Sequence, residues 1–151
     1  MNKYFLIFLS LLLLLYTGCS NKDKSQNSEN ASSEMKNVDV DLTILSSTMV
    51  YAEVFNIMSK PDSYLGKTIK LNGLFYSSYY DENETMYYYV VITDAASCCP
   101  QGLEFVINGE RKYPEDYPDE RSKIEVTGTF SSYNEYGETY YHLLVEDLRI
   151  L

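Results

Sequence analysis

From residue 67 onward, apolar and polar residues alternate along the chain in five separate runs. In the first run, Ile69, Leu71, Gly73 and Phe75 fall on one side of an extended chain. Alternation with a period of two predicts strands that bury one face and expose the other. The five predicted strands span residues 67–77, 86–93, 102–107, 123–131 and 139–150.

A shorter segment ahead of these runs follows helical spacing instead. Its apolar residues share one face of a predicted helix over 48–60, with Thr48 as the cap and Pro61 as the end. The residues on that face are Val50, Val54, Ile57 and Met58.

Five antiparallel strands after one helix predict an all-β domain: a small five-stranded OB-like barrel with a short N-terminal helix. Two glycines, Gly73 and Gly128, lie in mid-strand on the predicted buried face, where a small barrel needs a tight bend. A small open sandwich is the alternative architecture.

The first residues have the pattern of an export signal. Lys3 is followed by an apolar run over 4–15, which is shorter than the roughly 20 residues of a spanning helix. The sequence Leu-Tyr-Thr-Gly-Cys, ending at Cys19, then resembles the lipobox of bacterial lipoproteins. The resemblance implies cleavage before Cys19, acyl chains such as palmitate on that residue, and anchoring at the cell membrane on its extracytoplasmic side. An ordinary signal peptide or anchor helix is the alternative.

The domain organisation follows from these patterns. Residues 1–18 are the predicted signal peptide, and 19–43 are the lipidated cysteine and a disordered linker, because residues 20–37 are almost entirely polar. Residues 44–151 form the predicted OB-like domain.

Charge and composition narrow the range of partners. The chain has a net charge of −10. Residues 44–151 contain 8 Lys and Arg against 17 Asp and Glu, which gives −9 for the predicted domain. An acidic domain repels phosphate backbones, so we expect no nucleic-acid partner. The chain also contains 16 tyrosines and no tryptophan. Besides the membrane, we expect an envelope protein or a glycan as the partner.

Cys98 and Cys99 are adjacent, which is unusual in an exported domain. The pair is interpreted as a strained disulfide in a turn, as two free thiols, or as part of a metal site. The predicted metal or redox residues are Cys98, Cys99, His142 and Asp94, with a metal ion as the conditional cofactor and no other cofactor expected. Taken alone, His142 is predicted to face solvent on the last strand.

Tyrosines flank the first and last predicted hairpins, whose loops border the ligand face of an OB barrel. Exposed rings there stack on sugars or on a partner protein. The alternative is that alternate tyrosines fill the core and the others cover the sheet. The predicted ligand-binding residues are Tyr79, Tyr80, Tyr88, Tyr136 and Tyr140.

One stretch also resembles a known group of proteins. Residues 61–73, with Pro-x-x-Tyr-x-Gly-Lys at their start, are followed by Asp94 and by Cys98-Cys99-Pro-Gln-Gly102. This pattern is similar to the OB-type domain of bacterial envelope proteins that carry a Cys-Cys motif, over about residues 60–110. The resemblance implies the fold and brings no defined activity.

We therefore expect a membrane-anchored, non-enzymatic binding or assembly module. The alternative is a metal-binding or thiol-redox lipoprotein that uses Cys98 and Cys99. A third hypothesis, a hydrolase of envelope polymers, requires carboxylates that converge in a cleft.

Overall fold

A computed structural model of the protein describes residues 37–151. The predicted signal peptide and Cys19 lie outside the described residues. A 3-10 turn, Pro61–Ser63, follows the helix. The other elements are β1 (Val40–Asp41), α1 (Ser47–Ser59), β2 (Thr68–Tyr80), β3 (Thr85–Thr93), β4 (Pro100–Ile107), β5 (Lys123–Glu135) and β6 (Glu138–Ile150). None of the helices within 37–151 has the length and apolar character needed to cross a membrane.

Strands β2 to β6 pair in the order β2-β3-β4-β6-β5, and β2 also pairs with β5. The β4–β6 pair is parallel, and the other four pairs are antiparallel. This pairing order is that of a five-stranded Greek-key barrel of the OB type. It confirms the predicted all-β, OB-like fold with a short helix ahead of the strands.

The core lies inside the ring of strands. Phe75, Phe105 and Phe130, from β2, β4 and β5, are completely buried. Helix α1 adds Val54 and Ile57, which are also completely buried. Burying a side chain of this size contributes about 1.5–3 kcal/mol, so these residues stabilise both the barrel and the docking of the helix.

The sequence predicted a tight bend at the two mid-strand glycines, and the structure shows that neighbouring strands approach each other closely there. A Cβ atom at Gly128 would lie 2.6 Å from the backbone oxygen of Leu144, and one at Gly73 would lie 2.6 Å from Cγ2 of Val90. The β5–β6 register also shifts between Thr127 and Gly128. A bulge of this kind increases strand twist, which helps a sheet to curve.

The folded part begins earlier than the sequence predicted, so the linker boundary at residue 43 was wrong. Strand β1 pairs in parallel with β2, with Val40 opposite Ile69. Leu42 is 2 % exposed and belongs to the core. The amide of Leu42 donates to the oxygen of Lys70 at 2.8 Å. Residues 38–42 read Val-Asp-Val-Asp-Leu, so the period-two alternation that marks a strand was present in the sequence at this point.

Helix α1 starts one residue before the predicted Thr48, after Ser46. The predicted apolar face was correct for Val54 and Ile57 and wrong for Met58, which is 47 % exposed. Met58 follows Ile57 directly, so the helix turns its side chain away from the barrel.

A second layer of rings covers one end of the core. We call it the inner cluster. Its tightest contact joins Tyr88 of β3 to Tyr117, whose ring centroids are 3.9 Å apart in a stacked arrangement. Phe75 lies about equally far, 6.1–6.2 Å, from three other rings of the cluster. The inner cluster comprises Phe75, Tyr88, Phe105, Tyr113 and Tyr117.

Candidate functional site: a tyrosine groove and a cysteine loop

The outer face of the barrel carries a hollow of about 270 Å³ near the tips of the β2–β3 and β5–β6 hairpins. We call it the tyrosine groove. Most of its lining consists of tyrosine rings, with two carboxylates among them. The lining residues are Ser78, Tyr80, Tyr87, Tyr89, Glu104, Tyr133, Glu135, Tyr136 and Tyr140.

Glu135, near the end of β5, is held by two neighbours. The hydroxyl of Tyr87 donates to Oε1 of Glu135 at 2.7 Å, and Nδ2 of Asn83 donates to the same oxygen at 2.9 Å. Asn83 also donates to the hydroxyl oxygen of Tyr87 at 2.5 Å. Burial, together with the hydrogen bond to Glu135, raises the pKa of Tyr87 to about 12. The hydroxyl therefore stays a donor across the physiological range.

Glu104, on β4, has a similar tyrosine partner. The hydroxyl of Tyr133 donates to Oε2 of Glu104 at 2.8 Å. Nδ1 of His142 lies 3.8 Å from Oε1 of the same carboxylate. Burial and then the hydrogen bond to Glu104 raise the pKa of Tyr133 well above its ordinary value. Each groove carboxylate is thus paired with a tyrosine that remains protonated.

The sequence predicted that His142 faces solvent, and this prediction was wrong. Its side chain is 13 % exposed, and its ring stacks on Tyr133 with centroids 4.8 Å apart. Tyr133 also stacks on Tyr140 at 5.6 Å. The alternation along β6 correctly placed His142 on the face opposite Leu143, but this outer face is itself covered by aromatic rings.

The predicted ligand-binding tyrosines divide into three groups. Tyr80, Tyr136 and Tyr140 line the groove and are 44 %, 63 % and 40 % exposed. Tyr79 is 54 % exposed but does not line it. Tyr88 was wrongly placed with the exposed rings, because it packs against the core in the inner cluster.

The charges of the groove have one sign. Its nine lining residues include Glu104 and Glu135 and no Lys or Arg. Carboxylates beside the faces of aromatic rings attract a cation, and the rings add a favourable quadrupole interaction. The groove is therefore suited to an organic cation and unsuited to an anion.

The second candidate site is the loop between β3 and β4, which we call the cysteine loop (residues 94–99). Oδ1 of Asp94 accepts from the amide of Cys98 at 2.8 Å and from that of Cys99 at 3.3 Å. Sγ of Cys98 lies 3.2 Å from Oδ2 of Asp94. The hydrogen bond from the Cys98 thiol, followed by that from its amide, lowers the pKa of Asp94.

Both cysteines are exposed free thiols, with their Sγ atoms 3.3 Å apart. That separation exceeds the roughly 2.05 Å of a disulfide bond. One ligand atom from each of Asp94, Cys98 and Cys99 lies within 4.8 Å of the others. His142 does not belong to this group, so the predicted four-residue set is only partly brought together. Instead, His142 lies opposite Glu104 in the β4–β6 pairing.

A larger hollow lies elsewhere, between the segment before α1 and strands β2 and β3. It measures about 550 Å³, and apolar residues such as Leu42, Val50 and Leu74 form much of its lining. Its only charged side chain is that of Lys123. A binding site usually combines an apolar wall with several converging polar groups and perturbed pKa values, and the tyrosine groove fits that description better.

Six lining residues of the groove were not among the predicted site residues: Ser78, Tyr87, Tyr89, Glu104, Tyr133 and Glu135. The alternation contained a usable signal for part of it. Tyr87 and Tyr89 flank Tyr88, which shares its side of β3 with the buried Val90. That pattern places Tyr87 and Tyr89 outside the barrel.

Comparisons with known proteins add a fold neighbour and no family. No protein-family model matches the chain, and the search of curated proteins found no match. Among solved structures, the chain is similar to the dimeric N-terminal domain of PriB from Thermoanaerobacter tencongensis. The identity is 13 %, the TM-score is 0.39, and the match covers 56 % of this chain and 94 % of that one. At this level of similarity the match carries no argument about function.

Proposed function

We propose that the protein is a non-enzymatic binding module that is anchored through Cys19 on the extracytoplasmic side of the cell membrane. Its ligand carries an organic ammonium group, which it places in the tyrosine groove. The observation that carries the proposal is the pairing of Glu104 and Glu135 with tyrosine hydroxyls in a groove whose nine lining residues include no cationic side chain.

The two glutamates support a binding role. A hydrogen bond donated to a carboxylate stabilises its negative charge, and each glutamate receives one from a tyrosine. A glycoside hydrolase would instead need one carboxyl of such a pair to act as an acid. Two fixed negative charges between aromatic walls match the recognition of alkylammonium groups.

The charge of the whole domain acts in the same direction. Residues 44–151 carry a net charge of −9. This field attracts cations toward the groove and repels phosphate-bearing polymers, so nucleic acid is excluded from the proposal. Ammonium groups on envelope peptides, on amino sugars and on lipid headgroups all have the required chemistry.

The experiment measures the binding of choline to the purified protein by isothermal titration calorimetry. The control ligand is the neutral isostere of choline, in which carbon replaces the quaternary nitrogen. We expect the isostere to bind at least about tenfold more weakly than choline, because it loses about 1.4 kcal/mol of cation–π and ionic attraction. Equal affinity for the two ligands would contradict the proposal.

Matched variants locate the site. Tyr136→Ala and Glu135→Gln each remove a lining group and are expected to weaken choline binding about fivefold or more. Tyr79→Ala is the control, since Tyr79, on the β2–β3 hairpin, is similarly exposed but does not line the groove. A loss of affinity in Tyr79→Ala as large as in Tyr136→Ala would show that the ligand binds elsewhere.

The membrane anchor has its own test. Replacement of Cys19 by serine removes the thiol that the lipobox resemblance assigns to acylation. We expect the variant to leave the membrane fraction and to lose its incorporation of radiolabelled palmitate. Unchanged membrane partitioning of Cys19→Ser would remove the anchor from the proposal and leave the groove untouched.

A further inference from the structure

The cysteine loop brings three metal-ligating atoms to one point on the surface, away from the lining of the tyrosine groove. We propose that Asp94, Cys98 and Cys99 bind a thiophilic divalent cation of the zinc type, with a fourth coordination position open to solvent. This inference goes beyond the proposed function and does not depend on it.

The distances suit a metal better than a disulfide. Tetrahedral zinc with Zn–S bonds of about 2.3 Å places two sulfurs about 3.8 Å apart. The Sγ atoms of Cys98 and Cys99 are 3.3 Å apart and need to separate by about half an ångström to reach that span. A disulfide would require them to approach by more than an ångström, in a strained ring between adjacent residues.

The loop holds its ligands in place through the backbone. The amide of Ser97 donates to the carbonyl oxygen of Asp94 at 3.0 Å, and Ser97 has a φ of +57°. Thr93 pairs with Pro100, so the two ends of the loop are fixed by neighbouring strands. Because Oδ1 of Asp94 accepts both cysteine amides, its Oδ2 is directed to the same side as the thiol of Cys98. A site that is ordered before binding spends less of the binding energy on ordering.

The donor set selects the class of metal. Two thiolates favour zinc and softer cations, whereas Mg²⁺ and Ca²⁺ prefer oxygen ligands alone. Structural zinc sites use four protein ligands, and sites with an open position use three. Both cysteines are exposed, so water or a donor from another molecule can complete the coordination. The expected behaviour is a metal that exchanges readily with the medium.

The experiment uses the purified protein, reduced and freed of metal with a chelator. Cobalt(II) serves as the spectroscopic probe, and zinc affinity is then measured by competition with a chromophoric chelator. We expect a thiolate-to-cobalt charge-transfer band that saturates at a single ion per chain, and displacement of the cobalt by zinc. A reduced protein that shows no charge-transfer band would overturn the proposal.

Variants test each ligand. Cys98→Ser and Cys99→Ser are each expected to weaken zinc binding by at least about a hundredfold, because losing a ligand costs more than the roughly ten- to hundredfold loss seen for an outer-shell partner. Asp94→Asn keeps an oxygen acceptor for the two amides and removes the charge, so we expect a loss of about tenfold. His142→Gln is the matched control and should bind zinc as the unchanged protein does. Survival of full affinity in both cysteine variants would overturn the proposal.

Discussion

Nine tyrosines form two clusters, three of them on the inner side of the barrel wall and six on its outer side, and the clusters differ in what surrounds them. In the inner cluster, Tyr88 and Tyr117 stack at 3.9 Å against the buried phenylalanines. In the tyrosine groove, Tyr80, Tyr136 and Tyr140 are 40–63 % exposed. Tyrosine therefore packs the core on the inner side of the barrel and lines a candidate binding surface on the outer side.

The division follows from the alternation of a single strand. Tyr87, Tyr88 and Tyr89 are consecutive on β3, so Tyr88 points inward while its two neighbours point outward. The hydroxyls of the outer rings find carboxylate acceptors, as Tyr87 does in Glu135. The comparison predicts that inner substitutions change stability and outer substitutions change binding.

The largest expected effect on stability belongs to the inner cluster. Tyr88→Ala should lower the free energy of unfolding by about 3 kcal/mol, because it removes a large ring from a packed site. Urea denaturation followed by circular dichroism measures this change. At urea concentrations where the variant is still folded, choline affinity should be unchanged. A loss below about 1 kcal/mol would break the comparison.

Tyr133→Phe tests the contribution to stability of the hydrogen bond between Tyr133 and Glu104 in the groove. The substitution keeps the stacking on His142 and Tyr140 and removes the hydrogen bond to Glu104. We expect the free energy of unfolding to fall by about 1.5 kcal/mol, since the acceptor is charged and half-buried. Urea denaturation followed by circular dichroism measures this change. Tyr133→Leu, which loses the stacking as well as the hydrogen bond, is the variant for comparison.

The loss of folding stability at alkaline pH should depend in part on Tyr87. The unfolded chain ionises this hydroxyl near its ordinary pKa, whereas the folded protein keeps it protonated up to a pKa of about 12. Between these values the unfolded state binds fewer protons, so stability falls as pH rises from about 10 to about 12. Tyr87→Phe should flatten that fall by about 0.5 kcal/mol, a value reduced for solvent screening. Thermal denaturation across this pH range measures it, and an unchanged slope would contradict the assignment.

The smallest effect on stability is expected at the rim of the groove. Tyr136 is 63 % exposed, so Tyr136→Ala should change the free energy of unfolding by less than about 0.5 kcal/mol. The same variant is expected to weaken choline binding, and this contrast with Tyr88→Ala sharpens the comparison. A destabilisation similar to that of Tyr88→Ala would show that the rim is structural.

Alternation alone was enough to predict most of the fold. It located all five long strands, and it marked Gly73 and Gly128 as special mid-strand positions, although it predicted a tight bend there rather than the close approach that the structure shows. Strands β2 and β5 run three and four residues further than predicted, to Tyr80 and Glu135. Those extra residues form hairpin tips that carry part of the groove, where both faces are partly exposed and the hydrophobic pattern fades.

The sites were less predictable because they depend on contacts between distant strands. The cysteine loop is local, and three of its four predicted ligands do converge. His142 was assigned to it because it is the only histidine, yet the parallel β4–β6 pairing places it beside Glu104. Tyr88 could have been placed correctly, since it shares the inward face of β3 with Val90 and Ile92. The two groove glutamates come from different strands, and no spacing in the sequence links them.

Strand β1 has a mechanical consequence if the protein is anchored through Cys19 as we propose. Tension applied at residue 37 along the strand axis reaches β1 before any other element. The hydrogen bonds between this segment and β2 then share the load in shear, since the strands run parallel. They include those donated by the amides of Asp39 and Leu42 and the one that the amide of Thr68 donates to the carboxylate of Asp39. The side chain of Leu42 is buried in the core beside these bonds. Its packing adds to the resistance against the force, which therefore does not pass directly to the barrel.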